Sequence, residues 1–288
     1  MSTQTFTSVG RSKSPGVRIA TRILIYLVLL VACVGLLLPF IWMIISSLKH
    51  TADVFTVPIQ WIPDPFVWSN YVEIFERTDI LVWIKNTLII AVSVTFLQVF
   101  TGSFAAYGFA RCRFPGRDLL FLAYVGTIAV PWQSIMIPQF VMMSNFGLNN
   151  RRMAMIILQA FGAFGVFLMK SYFESIPDSL NEAARIDGLS EYGIWRRIML
   201  PLSIPALASL TLLTFVATWN DFLGPLIYLR DASRRTIQVG LNTFIGQHAT
   251  DHAMIMTGAV LSIIPVAILF FAGQKYFVEG IATTGVKG

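Results

Sequence analysis

ATRILIYLVLLVACVGLLLPFIWMIISS, residues 20–47, runs for 28 positions with one charge, Arg22, near its edge. A helix that crosses the hydrocarbon of a bilayer needs about 20 mainly apolar residues. The rest of the chain repeats the theme. Of 288 residues, 56% are hydrophobic and 12% charged, about half the charged share of a soluble domain. A single soluble core cannot hide that much apolar surface, so the surplus faces lipid. Five further stretches qualify as spans, at 86–110, 119–143, 153–173, 201–223 and 253–274. The fold class expected is all-α, a polytopic membrane protein with six transmembrane helices. The first run is long enough to stay as a helix, and no cleavable signal peptide is expected.

Lys and Arg set the orientation. With the N-terminus in the cytoplasm, 13 of the 21 fall inside, among them Arg111, Arg113, Arg117, Lys170, Arg185, Arg196 and Arg197. The remaining 8 fall outside: Lys49, Arg77, Lys85, Arg151, Arg152, Arg230, Arg234 and Arg235. Both termini are then cytoplasmic, as tails 1–19 and 280–288 flanking a transmembrane domain 20–279. The net charge of +6 points away from nucleic acid, since the cations punctuate apolar runs and form no patch on a soluble domain. Cys33 and Cys112 lack metal-ligand spacing. Pro131 and Pro138 interrupt the third span, as a packing kink or as a broken helix lining a path; both are tolerated where neighbours satisfy the freed carbonyls. Gly102, Ala106 and Ala110, four apart, let another helix approach closely.

The outer segment 49–85 carries Trp61, Pro63, Pro65, Trp68 and Tyr71, then Val72, Ile74 and Phe75. It reads as an interfacial aromatic belt or as a docking surface for an external partner. His248, Asp251 and His252 in the other long outer segment lack a third well-spaced metal ligand, and no metal is expected. A P-loop is absent: GVFLMKS at 165–171 lacks the second glycine and ends an apolar helix, where Lys170 snorkels to the interface. The alternative to an ATP-driven machine is an ion-coupled secondary transporter of a polar solute. Such proteins place carboxylates or histidines mid-membrane, and spans 1, 2, 3 and 6 have none in their apolar centres. Gln98, Gln133, Gln159, Asn220 and Asp221, within or beside the spans, either line a path or bond between helices.

The inner segment between spans 4 and 5 reads PDSLNEAARIDGLSEYGIWRRIMLP, Pro177–Pro201. Residues 182–186 are fair helix formers, and Gly188 can end that helix in the left-handed conformation. Ser190 can cap a second helix through Leu200, with Pro201 opening the next span. Ala183 and Ala184 leave room for another protein's surface, and Glu182 and Asp187 offer it charge.

Glu-Ala-Ala at 182–184, Gly188, Ile198 and Leu200-Pro201, so spaced, resemble the coupling-loop signature of ABC importer permeases. Trp61-Ile62-Pro63 with Asn70-Tyr71, AAYGFAR at 105–111 with Phe114-Pro115-Gly116, Pro131 and Pro138, Trp219-Asn220-Asp221-Phe222 and the closing GVKG resemble the smaller permease of maltose-type carbohydrate importers. The resemblance covers about 20–288. Trp195 stands where that family often has Phe, and Gly280–Thr284 departs from the usual tail. The resemblance implies a permease subunit of a binding-protein-dependent sugar importer in a prokaryotic inner membrane. Its partners would be a second permease chain, two cytoplasmic ATPase subunits and an external solute-binding protein. The loop 177–201 would be the cytoplasmic coupling helix pair. This chain would be no enzyme and hold no cofactor, with ATP and magnesium on the ATPase. In a background lacking Cys33 and Cys112, a cysteine at Ser190 is expected to label only from the cytoplasm and one at Ser233 only from outside; the reverse pattern puts the loop out of reach of ATP.

Overall fold

The computed structural model describes residues 15–246 and 250–285. The leading 14 residues, His248 and the closing Val286-Lys287-Gly288 lie outside the described residues. Apart from one antiparallel bridge, Ile245 to Thr250, the regular structure of the described residues is helical. Four helical stretches are long and apolar enough to cross a membrane: Thr21–Ser47, Ile80–Arg111, Arg152–Ser175 and His252–Tyr276. Two more are bent pairs. Arg117–Ala129 and Trp132–Asn145 meet at 98°, and Glu191–Leu202 and Ile204–Trp219 at 82°.

The central element is α3 (Ile80–Arg111). It contributes to all three hydrophobic clusters: Ala106 and Tyr107 near its C-terminal end, Ile80 and Trp83 at its N-terminal end, Ile90 and Val94 between. α7 (Ala163–Ser175) and α11 (Ile204–Trp219) pack along it. The small-residue stripe has the role its spacing suggests: a Cβ on Gly102 would touch the Gly165 backbone at 3.5 Å. α14 (His252–Gly285) packs on α11 and on α1 (Pro15–Ser47), without a break where the tail was drawn at 280. α1 makes its buried contacts at its C-terminal end, and Ile23–Leu38 are exposed throughout. There Asn70, from α2 (Ser69–Arg77), donates to the Ser47 and Lys49 carbonyls at 2.9 and 2.8 Å. The Lys49 ammonium lies 4.7 Å from the Trp42 ring centre. Ile74 is buried, while Val72 and Phe75 remain exposed.

The breaks have local causes. In the third span, Pro131 follows Val130, held extended with φ −81° and ψ 113° as a residue before proline is. α4 (Arg117–Gly126) therefore ends in a short turn, and α5 (Trp132–Asn145) leaves at nearly a right angle. Pro138 lies inside α5. The fourth span is also interrupted, which nothing in its apolar run announces. α6 (Arg152–Gln159) stops at Ala160, and α7 begins after Gly162. The freed carbonyls turn to α3: Gln98 donates to Gln159 O at 2.7 Å and Thr101 to Ala160 O at 3.0 Å. Gly162 leaves room for this, since a Cβ there would come within 2.7 Å of Gln98 Oε1. The fifth span is corrected at its start. Pro201 lies within the inner helix rather than opening the span, and the chain bends at buried Ser203 before Ile204-Pro205 begins α11.

The outer cap closes on the same helix. Gly240, in α13 (Ile237–Leu241), lies against Trp83, and an added Cβ would fall 2.2 Å from its ring. Gly240→Ala is therefore expected to overpack by about 1–3 kcal/mol and lower the thermal transition of the solubilised protein. Gly108→Ala, in α3 with nothing within 4 Å, is expected to leave the transition unchanged or raised.

Candidate functional sites: the inner helical hairpin and the broken-helix cavity

The inner segment forms a stiff hairpin. α8 (Asp178–Ile186) ends with Gly188 at φ +81°. Gly188 N donates to Arg185 O and Leu189 N to Ala184 O, both at 3.0 Å. These are the two bonds of a Schellman motif, and an L side chain at the glycine's φ is strained. Ser190 caps α9 (Glu191–Ile194), its hydroxyl accepting from Gly193 N at 3.2 Å. A π turn, Trp195–Met199, follows, and then α10 (Leu200–Leu202). The buried Trp195 ring meets Phe100 and Phe104 of α3 edge-on at 5.8 and 5.3 Å.

The candidate coupling residues divide between two faces. Glu182, Ala183, Asp187 and Gly188 are exposed. Ala184 is not part of that face; it is buried beside Phe173, Ile194 and Trp195. A single residue step of about 100° carries the two alanines to different sides, so only Ala183 leaves room for a partner. Ile186, 86% exposed beside Gly188, belongs to the outward face. Its only sequence signal is an apolar residue one position before an Asp-Gly helix end.

Two sets of bonds join this hairpin to α3. Arg111, whose side chain is 6% exposed, pairs with Asp178 and donates to the carbonyls of Phe173 and Ile176 that end α7. The Tyr107 hydroxyl donates to Glu191 Oε2 at 2.5 Å, and Arg185 Nε donates to Glu191 Oε1 at 2.8 Å. Both hairpin legs are thus held by one transmembrane helix that is not adjacent to them in sequence. A cleft of about 810 Å³ opens between them, lined by Arg111, Arg113, Asp178, Asn181, Glu182 and Arg185.

The second site lies at the break in span 4. A cavity of about 730 Å³ is lined by Gln98, Trp132, Gln159, Thr214, Asp221 and Tyr228, among others. Gln159 Nε2 donates to Asp221 Oδ2 at 2.9 Å, and Asp221 Oδ1 accepts Gly224 N at 3.1 Å. The structure therefore brings together Gln98, Gln159 and Asp221. Gln133 and Asn220 do not line this cavity. Gln133 is exposed, and Asn220 bonds back to Val216 O at 3.0 Å and accepts from Gln238 at 3.3 Å. Trp132 and Tyr228 were not readable as cavity residues, because the bend at Pro131 and the separate short helix α12 (Leu223–Tyr228) put them there. In the outer loop Asp251 accepts from Thr51 and from Met254 N, and His252 stands edge-on to Phe55 at 4.8 Å. Among the described residues no three His, Cys, Asp or Glu gather as metal ligands. Lys170 pairs with Glu174 at 2.5 Å over the Phe121 ring.

A family model described as "Binding-protein-dependent transport system inner membrane component" matches residues 98–283. The probable ABC transporter permease YurM of Bacillus subtilis is 33% identical, over 92% of this chain and 88% of the relative. The arabinooligosaccharides transport system permease AraQ of Halalkalibacterium halodurans is 32% identical, over 87% and 91%. Among solved structures, a chain of a bacterial ABC transporter involved in the import of the acidic polysaccharide alginate superposes with a TM-score of 0.78. It has 27% identity and covers 92% of this chain and 99% of its own.

Glu191 lies beyond the spans. The Arg185 hydrogen bond holds its carboxyl below the usual carboxylate range, against burial, with help from Tyr107. A depressed folded value contributes stability above the unfolded value of about 4.3, lost as pH falls through the folded one. Amide-exchange protection over 184–194, corrected for intrinsic rates, is therefore expected to hold from about pH 8 to about pH 5 and fall below about pH 4. Glu191→Gln should lower protection at neutral pH and abolish the acid step. A step that persists in that variant belongs to another carboxylate.

Proposed function

The chain belongs to the binding-protein-dependent transport system inner membrane components, and from that premise we propose that it is the permease half-channel of a sugar or oligosaccharide importer driven by a separate ATPase. It is a multi-pass inner-membrane protein and a permease subunit of an ABC importer. The sugar assignment is supported by relatives named for arabinooligosaccharides and lactose. A cavity that mixes aromatic rings (Trp132, Tyr228) with neutral hydrogen-bonding groups (Gln98, Gln159, Thr214) also suits a polyol. Rings cover the apolar face of a sugar while amides and hydroxyls meet its hydroxyls.

The observation that carries the coupling role is the exposed face Glu182, Ala183, Ile186, Asp187, presented by a hairpin bonded to α3. We assign this face to a cleft on one of two cytoplasmic ATPase subunits, so both termini are cytoplasmic. ATP and magnesium bind on those subunits, and this chain needs no cofactor of its own. Closure of the ATPase pair pushes the hairpin, and because Arg111 and Glu191 tie it to α3 and the end of α7, push becomes rotation of the span rather than bending of a loop. A second permease completes the path, and an external binding protein delivers solute. Access alternates because nucleotide and loaded binding protein favour one of two states.

In proteoliposomes holding the whole complex, Gly188→Val is expected to lower uptake and solute-stimulated ATP hydrolysis at least several-fold. Its added Cβ meets open space, so the cost is backbone strain of about 1 kcal/mol or more. Ala183→Trp is expected to do the same by overpacking the docked face. Uptake should need the ATPase, and this chain alone should not hydrolyse ATP. Normal transport by the Gly188 variant at normal abundance would reduce the hairpin to a connector.

A further inference from the structure

Five of the eight cations on the outer side converge in one place. The turn before α6 and the loop after α12 are stitched together: Asn150 N donates to Tyr228 O at 3.1 Å, and Asn150 Oδ1 accepts Arg230 N and Asp231 N at 3.1 and 3.2 Å. Arg234 Nη1 donates to Asn150 O at 2.5 Å. Below them, buried Asn86 of α3 accepts from Arg152 at 2.7 Å and donates to the Ser233 and Arg235 carbonyls at 3.0 and 2.9 Å. The stitching gathers Arg151, Arg152, Arg230, Arg234 and Arg235 around a single acid, Asp231, which pairs with Arg234 at 3.8 Å. Neutral groups hold two of the others: Asn86 holds Arg152, and the Phe140 ring lies under Arg230 at 5.4 Å. Among the described residues, the side chains of Arg151 and Arg235 have no hydrogen-bond or ion-pair partner.

Cations on outer loops work against the orientation of a membrane chain. A cluster there, held together by neutral bonds, leaves its charge free for something external. None of the five arginines lines the 730 Å³ cavity, whose one ionisable acid is Asp221. Charge chosen to read the solute would stand in that lining. Charge on a protruding rim suits a surface that arrives from outside. We propose that this arginine cluster is the electrostatic docking site for an acidic face of the external solute-binding protein. The proposal rests on the importer reading and its orientation.

The test uses the assembled complex in lipid nanodiscs and the binding protein that supports its uptake, loaded with solute. The half-saturating concentration of binding protein for ATP hydrolysis is measured at about 0.02 M and about 0.3 M salt, either side of the roughly 10 Å screening length at 0.1 M. In the wild type it is expected to rise about tenfold with salt. Arg151→Gln combined with Arg235→Gln should start about tenfold higher at low salt and rise little further, with the maximal rate unchanged. Arg151→Lys with Arg235→Lys, which keeps the charge, should follow the wild type. Equal half-saturation and equal salt response in the Gln variant overturn the proposal. So does a reduced maximal rate at unchanged half-saturation, which puts the cluster in the transport path. A shift seen only with anionic lipid assigns it to headgroups, and loss of the second permease on purification assigns it to the permease contact. Uptake without any ATPase or binding protein instead removes the importer reading itself.

Discussion

A helix that breaks inside hydrocarbon must find new partners for the carbonyls it frees, because no water is there to take them. In this protein α3 supplies those partners. Gln98 and Thr101 reach the carbonyls at the Gln159–Ala160 break, and Arg111 reaches those of Phe173 and Ile176 where α7 ends. Without them the fourth span would have to stay continuous, and the cavity beside it would fill with helix. The cavity and the stiffness of the hairpin thus depend on polar side chains spaced along one apolar helix.

The magnitudes separate these ties. The Arg111–Asp178 pair has an acid that is 77% exposed, and exposed pairs contribute about 0–1 kcal/mol. Hydrogen bonds from a charged donor are worth about 1.5–3 kcal/mol each. The two carbonyls that Arg111 meets in a largely buried setting therefore matter more than the carboxylate. Arg111 acts chiefly as a cap on α7 and only secondarily as an ion-pair partner. The Tyr107–Glu191–Arg185 set differs, since Tyr107 loses its partner if the hairpin moves away from α3, while Arg185 and Glu191 stay paired within the hairpin. The first holds the end of a span in place; the second holds the hairpin to it.

Legibility in the sequence followed the range of the responsible interaction. Runs of apolar residues are local, so spans 1, 2 and 6 could be read within a few residues. The Schellman end at Gly188 and the Ser190 cap were readable too, being set by residues within one turn. The break at Ala160–Gly162 was not, because its cause is Gln98, which lies about 60 positions earlier and looks like any polar residue in a span. Pro201 misled for a related reason. Proline is welcome at a helix start, but this helix was already under way and the true start came at Ile204-Pro205. Ala184 and Ala183 are chemically alike, and only the packing of Phe173 and Trp195 distinguishes the inward one. Asn220 and Asp221 are neighbours of similar polarity, yet only the carboxylate turns to Gln159.

The π turn at Trp195–Met199 carries a consequence for how such a chain can change. Its bonds run to the fifth residue rather than the fourth, so this stretch holds a residue more than an ordinary helix would need. The surplus sits between two fixed points, the ring of Trp195 against α3 and the bend at Ser203. Each residue of a helix turns the chain by about 100°. A single-codon insertion or deletion here would aim the Ile186–Gly188 tip away from its present direction even if every letter around it were kept. The segment therefore tolerates spelling changes at its outward positions and resists changes in length.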